Sequence, residues 1–214
     1  RDKIAVVWSL SSDDGTFGQP IRTMPIYEST ESIVIIQAAL LKPVLSHQLD
    51  DDRIMFATIG EEGQIKFWDA HTGSLLLTQN QEPLSKDRSP SHACSQLSMR
   101  PGGNQLCAVS TERDVFFYQL PDLQLKQQLQ GHLDEVLSVC WFAKNKFLAI
   151  ACNSNDLKIL EVSTSKCQHL AGHTDIVVCV KALPCDPMCI ISSSKDCSVL
   201  VWKVEPVTMS ARIV

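Results

Sequence analysis

Three side chains near the carboxyl end have the types that serine hydrolases use: His173, Ser192 and Asp196. In such a triad the histidine takes the serine proton and the aspartate orients the histidine. A hydrolase serine commonly sits in a Gly-x-Ser-x-Gly elbow, which exposes its oxygen on a sharp turn. Ser192 has no such elbow around it. We therefore favour a structural role for the three residues.

The nine cysteines are the other groups with chemical potential. Cys185 and Cys189 have a spacing that a metal pair could use, but no second Cys or His pair lies at ligand spacing, and zinc needs about four ligands. Most of the other cysteines lie in apolar strand patterns, where cysteine behaves as a small hydrophobe. An odd count without a visible secretion signal favours reduced thiols inside the cell. We expect no metal, no cofactor and no small-molecule substrate.

A recurring phrase shows what positions these residues. Lys195–Trp202 carries an Asp six positions before a Trp, and Arg1–Trp8 has the same spacing. A third copy is Glu62–Trp68, and the tryptophan slot falls next at Tyr118 and Leu160. The intervals from Tyr118 to Leu160 and from Leu160 to Trp202 are 42 residues each. An interval of about 40 to 45 residues is typical of a propeller blade with four short strands.

The last unit predicts a buried hydrogen-bond chain. Asp196 in a turn accepts from His173, and His173 meets the hydroxyl of Ser192 on the second strand. That hydroxyl in turn meets the indole N–H of Trp202 on the third strand. A chain of this kind satisfies every polar group that it buries. We expect it to lock turn and strands together.

The earlier units keep only parts of this pattern, so we expect hydrophobic stacking between blades to stabilise them. Lone histidines such as His47, His71, His92 and His169 are expected in loops or at edges. The other repeat anchors are Asp2, Trp8, Thr58, Glu62, Trp68, Glu112, Tyr118, His132 and Leu160.

Short β-branched and aromatic runs separated by turns predict strands almost throughout, with no sustained helix period. We expect residues 11–25 to form a surface loop. The repeat divides the chain into the end of a preceding blade with a connecting strand or loop (1–28) and blades at 29–91, 92–130 (degenerate), 131–171 and 172–214. The predicted strands are Ile33–Ala38, Ile54–Ile59, Ile65–Trp68, Leu106–Ser110, Val115–Tyr118, Val136–Trp141, Phe147–Ala151, Ile176–Lys181, Cys189–Ser193 and Ser198–Trp202.

Composition agrees with a folded domain and limits the partners. The chain has 214 residues, of which 44% are hydrophobic and 20% charged. Its apolar runs are shorter than the ~18 residues that span a bilayer, so we expect no membrane insertion. A net charge of −5 argues against general affinity for nucleic acid. Local RNA contact through Lys86, Arg88 and Arg100 stays open.

These repeats resemble the WD-repeat β-propeller family, most strongly over Gly172–Trp202. The resemblance implies an all-β fold: a partial propeller of about four four-stranded blades plus the end of a preceding blade, with further blades on both sides. Residues 23–29 and 152–158 include loop positions that a generic propeller has no reason to share. They are similar to the small nucleolar RNA-associated protein 13 family of the small-subunit processome.

That narrower resemblance implies a noncatalytic scaffold in the nucleus and nucleolus that supports pre-rRNA processing. Its partners would be other processome proteins, with indirect or local contact to pre-rRNA or small nucleolar RNA. The family is similar to a tandem double propeller followed by a helical domain. The alternative is a generic WD-repeat adaptor, such as a substrate receptor for ubiquitin ligation or a signalling scaffold. An enzyme is the weakest of the three classes.

Overall fold

The computed structural model describes residues 4–8, 18, 20–26, 30–37, 40–41, 53–60, 63–79, 93–111, 114–121, 123–129, 134–205 and 210–214. They form eighteen strands. These are β1 (Ile4–Trp8), β2 (Pro20–Pro25), β3 (Thr30–Gln37), β4 (Ile54–Gly60), β5 (Ile65–Asp69), β6 (Leu75–Gln79), β7 (Cys94–Met99), β8 (Gln105–Ser110), β9 (Val115–Gln119), β10 (Gln124–Leu129), β11 (Val136–Phe142), β12 (Phe147–Cys152), β13 (Leu157–Glu161), β14 (Lys166–Leu170), β15 (Val177–Ala182), β16 (Cys189–Ser194), β17 (Val199–Val204) and β18 (Ala211–Ile213).

The strands pair in chain order into one two-stranded sheet and four four-stranded sheets. The two-stranded sheet is β1–β2, and the others are β3–β6, β7–β10, β11–β14 and β15–β18. The registered pairs are antiparallel, as expected where short turns join neighbouring strands. The prediction of an all-β fold built from four-stranded sheets is confirmed. In the part of the chain that the structure describes, no helix is long and apolar enough to cross a membrane.

The chain divides into two compact units, 1–97 with 119–124 and 98–118 with 125–214. We call them unit 1 and unit 2. In unit 1, Ala5 and Val7 of β1 pack with Met24 against Phe56 and Trp68 of the next sheet. The opposite face of β1 is exposed at Ile4, Val6 and Trp8.

Unit 2 contains two apolar layers on opposite faces of sheet β11–β14. One layer joins that sheet to β8 and β9, where Phe117 meets Trp141 edge-on at 5.9 Å between ring centres. The other layer joins it to β15–β17 and contains Phe147, Ile159 and Trp202. Because both faces of β12 are covered, its sequence reads as a continuous apolar run rather than an alternating one.

Two sequence expectations need correction. Residues 11–25 were expected to form a loop, but Pro20–Pro25 is a strand paired with β1. Its prolines stand at the strand ends, where a missing N–H costs least. Strands β6, β7, β10, β13, β14 and β18 were not among those predicted. The outer ones are largely polar, and edge strands give a weak hydrophobic signal. The inner strand β13 has a short apolar pattern that Lys158 interrupts.

Candidate functional site

The last sheet brings the predicted residues together by its register. His173 lies just before β15, and Asp196 lies in the turn between β16 and β17. Ile190 pairs with Trp202 across β16 and β17, which puts Ser192 two residues further along on the same face. Ser192 and Trp202 are 1% and 2% exposed. The segment before β15 and the strands β16 and β17 thus bring the imidazole, the hydroxyl and the indole together at one buried point.

The polar atoms of these residues form a continuous chain. His173 Nδ1 lies 2.9 Å from Asp196 Oδ2, and His173 Nε2 lies 2.7 Å from Ser192 Oγ. The Trp202 Nε1–H donates to Ser192 Oγ at 2.7 Å. A carboxylate can only accept, so Nδ1 carries the imidazole proton and Nε2 accepts from the serine hydroxyl. Every group in the chain then has a matching partner.

The Asp196 carboxylate is surrounded by donors. The hydroxyl of Ser198 donates to it at 2.6 Å, and the backbone N–H groups of Thr174 and Ser198 donate at 3.0 and 2.8 Å. These bonds, led by the Ser198 hydroxyl, hold the pKa of Asp196 far below its ordinary value, although burial opposes them. The carboxylate therefore stays ionised and ties the segment before β15 to the β16–β17 turn.

Ser198 was missed by the sequence reasoning. It bonds the same carboxylate and also lies 3.0 Å from His173 Nδ1. A local signal exists, since a Ser two residues after an Asp is a common turn arrangement in which side chains bond nearby backbone N–H groups. Ser194 closes the turn from the other side by accepting from the Asp196 N–H at 3.1 Å.

The geometry also shows what this chain of residues can do chemically. Ser192 Oγ already accepts from the indole, and the His173 side chain is fully buried. The residue that carries this hydroxyl is 1% exposed. The bonds connect the segment before β15 with β16, β17 and the turn between them, whereas the serine of a hydrolase elbow is exposed.

Gly172 is required by the same packing. A Cβ added at this residue would stand 2.6 Å from Cη2 of Trp202 and 3.0 Å from Cδ1 of Ile213. The indole therefore lies against bare backbone, which explains a glycine before His173 without any need for unusual backbone angles.

The position that Trp202 occupies on the third strand, the tryptophan slot, holds different residues in the other sheets. In β3–β6 the Trp68 Nε1–H donates to Thr58 Oγ1 at 2.9 Å, and Trp68 stacks on Phe56. In β11–β14 the slot holds Leu160, 4% exposed, with apolar Ile150 in the place of the hydroxyl residue. In β7–β10 it holds Tyr118, which is 2% exposed. Only the last sheet joins a histidine to the slot within the described residues.

In sheet β11–β14 an ion pair connects the segment before the first strand to the rest of the sheet. Lys158 of β13 is almost fully buried, and its Nζ lies 3.4 Å from Oδ2 of Asp134, which precedes β11. The ion pair joins the entry segment to the third strand, whereas the Asp196–His173 bond in the next sheet joins the entry segment to the turn before the third strand. Sequence reasoning did not identify this pair, because a lysine in a strand is usually on the solvent side.

The remaining predicted anchors are Asp2, Trp8, Glu62, Glu112 and His132. Asp2, Glu62, Glu112 and His132 lie outside the described residues. Trp8 is 54% exposed, because it lies on the face of β1 opposite Ala5 and Val7. It is therefore no buried anchor in this structure.

The comparisons with known proteins agree with the repeated sheets. The WD40 family (WD domain, G-beta repeat) matches residues 123–160 and 164–203. Transducin beta-like protein 3 of Homo sapiens is 30% identical over 205 residues, 95% of this chain, and its Rattus norvegicus counterpart is 31% identical over the same length. The chain spans 24% of the length of these relatives.

A solved structure of the RRP9 WD40 repeats superposes with a TM-score of 0.64 at 19% identity. The superposition covers 99% of this chain and 53% of that one. At this identity the likeness concerns the fold alone. Repeat matches, chain-long similarity and four-stranded sheets together identify the chain as a WD40-repeat protein with the fold of a partial β-propeller.

Proposed function

We propose that the protein is a noncatalytic WD-repeat scaffold of the small-subunit processome. In this role it supports pre-rRNA processing and small ribosomal subunit biogenesis in the nucleolus through contacts with other processome proteins. We further propose that His173, Ser192, Asp196 and Trp202 serve this role structurally, by fixing the sheet whose loops are presented to partners. Each sheet then corresponds to one blade within the segments 29–91, 92–130, 131–171 and 172–214, after the blade end at 1–28.

The observation that carries the proposal is the extent of similarity to Transducin beta-like protein 3. Repeat signatures account for residues 123–160 and 164–203, whereas that similarity covers 205 residues. It therefore includes segments in which no repeat signature is recognised. General propeller patterning gives little reason for such segments to match, so the similarity supports a shared role. The whole protein's activity is inferred from this piece, which spans 24% of the relative.

The test is affinity purification of the tagged protein from nuclear extract, with and without ribonuclease treatment. We expect nucleolar assembly proteins and small-subunit rRNA precursors to copurify, and the protein partners to remain after ribonuclease treatment. Depletion of the protein should cause unprocessed small-subunit precursors to accumulate. Recovery of ubiquitin-ligase or signalling components alone would contradict the proposal and favour the generic adaptor.

The chain offers a matched pair for this experiment. Ser192→Ala removes the centre of the buried chain, whereas Ser163→Ala alters a serine in the turn before β14. If the network acts by fixing the sheet, Ser192→Ala lowers both thermal stability and partner recovery. Ser163→Ala leaves both unchanged. Lower recovery with unchanged stability would instead point to a direct role in contact.

A further inference from the structure

Charge is separated between the two ends of the sheets in unit 2. The alternation of antiparallel strands places the turns between first and second strands at the same end as those between third and fourth strands. We call this the hairpin end, and the end with Asp196 the network end. Among described residues the hairpin end carries seven cations against three carboxylates, while the network end carries two lysines against six carboxylates. The hairpin-end cations are Arg100, Lys144, Lys146, Lys166, Lys181, Lys203 and Arg212.

Three turns of the hairpin end form one continuous surface. The Arg100 guanidinium donates through Nη2 to the Asn145 carbonyl at 3.2 Å, and the Asn145 side chain donates back to the Pro101 carbonyl. On the other side, the Ala143 N–H donates to the Pro187 carbonyl at 2.7 Å. The turn between β11 and β12 is thus fixed to the turns of both neighbouring sheets.

The central turn has an unusual backbone that presents two lysines. Ala143, Lys144 and Asn145 have φ values of 51°, 54° and 66°, a left-handed run without glycine. Left-handed backbone at such residues costs on the order of 1 kcal/mol each. The bonds from Asn145 N–H to Phe142 O (3.0 Å) and from Lys146 N–H to Ala143 O (3.3 Å) hold the run.

The lysines of this turn are available for a ligand. Lys144 and Lys146 are exposed and form no ion pair with any residue that the structure describes. Of the carboxylates at this end, Asp186 is paired with Lys203 at 3.3 Å, and Glu161 accepts from the Thr164 hydroxyl. Arg100 is less available for a ligand, because its guanidinium already lies over the Trp141 ring, 5.5 Å from the ring centre.

We propose that the hairpin end of unit 2, with Lys144 and Lys146 at its centre and Lys166 beside them, binds the phosphodiester backbone of RNA. A phosphate backbone requires closely placed cations and no apolar contact, and lysine serves phosphate as a point charge. A protein interface needs an apolar core. Among the described residues of unit 2, the exposed large hydrophobics are Leu137, Val178, Val199, Ile213 and Val214, and none of these lies in these turns. The inference deepens the proposed function and rests on it for the presence of RNA.

The test measures binding of a fluorescein-labelled, mixed-sequence single-stranded RNA to the protein by anisotropy across salt concentrations. Each phosphate contact contributes about 0.7 to the slope of log K against log salt. Lys144→Gln with Lys146→Gln should reduce the slope by about 1.4, which corresponds to up to roughly 25-fold weaker binding at about 0.1 M salt. Lys126→Gln with Lys195→Gln removes the same charge from a strand and from the network end. We expect this control to bind as the unaltered protein does.

Several results would overturn the inference. These are absence of RNA binding by the unaltered protein, equal losses in both double variants, or displacement of RNA by a polyglutamate peptide at equal charge concentration. Thermal melting shows that each variant is folded. Glu161→Gln, which removes a carboxylate from the hairpin end, should strengthen binding.

The outcome separates this inference from the proposed function. If the Lys144/Lys146 variant binds RNA normally while processome proteins still copurify, only the RNA surface is wrong. If RNA binding depends on these lysines but only ligase subunits copurify, the processome role is wrong.

Discussion

Replacing Ser192 by Ala tests whether the buried chain stabilises the last sheet. The serine oxygen accepts from Trp202 Nε1 and bonds His173 Nε2, both at 2.7 Å. Its loss leaves an indole N–H and an imidazole nitrogen without their partner in a site that is closed to water. Each stranded buried polar group costs about 1 to 3 kcal/mol. We expect Ser192→Ala to lower the free energy of unfolding by about 2 to 5 kcal/mol.

The β3–β6 sheet provides the matched comparison. Thr58→Val also removes one hydroxyl with little change of volume, and it removes the 2.9 Å bond from Trp68. No histidine is joined to that hydroxyl among the described residues, so one polar group is stranded rather than two. The expected loss is about 1 to 3 kcal/mol, roughly half of that for Ser192→Ala.

Urea unfolding followed by the fluorescence of the four tryptophans and by circular dichroism gives these free energies. The double variant Ser192→Ala with Trp202→Phe isolates the indole bond, since phenylalanine has no N–H to strand. We expect the cost of Ser192→Ala to fall by at least about 1 kcal/mol in that background. A cost below about 0.5 kcal/mol in the unaltered background, or equal costs in both, would refute the reasoning.

Three further predictions concern the neighbouring contacts. Lys158→Met should be neutral or stabilising in thermal melting, because burying a lysine costs about as much as its ion pair returns, while Asp134→Ala should cost about 1 to 3 kcal/mol by leaving that lysine unpaired; a larger loss for Lys158→Met would contradict this. The pKa of Asp196 is lowered in the fold, so its contribution is present above pH ~4 and lost as the pH falls below that value; Asp196→Asn should flatten this acid-side decline in the melting temperature. Burial raises the pKa of Cys140 to about 12 and of Cys152 to about 11, so alkylation at about pH 8 should leave both unmodified until the protein unfolds. The exposed thiols, which should react in the native state, are Cys167, Cys185 and Cys197.

The inner strands β11 and β12 were predictable because their residues carry a strong pattern. Val136–Phe142 and Phe147–Cys152 are covered on both faces and consist mainly of β-branched, aromatic and small apolar residues. The outer strand Gln124–Leu129 has only exposed and half-buried residues, and it was not predicted. Its place depends on pairing with β9, which no local sequence signal records.

The site divides in the same way between local and tertiary causes. The spacing of Ser192 and Trp202 follows from the register of one hairpin, and a repeat-length comparison reveals it. The Lys158–Asp134 pair joins residues 24 apart, and a lysine within a strand gives no sequence signal of a buried ion pair. Trp8 shows the opposite failure, since it fits the phrase but lies on the uncovered face of β1.

The segment before β15 is tied to both β16 and the turn into β17, whereas the outermost strand, β18, has only three residues. Amide hydrogens report this difference directly, because local opening exposes weakly held strands first. Deuterium should enter Ala211–Ile213 well before β15, β16 and β17, and those three strands should exchange together. The last sheet then behaves as three firmly held strands with one weakly held strand at its outer edge.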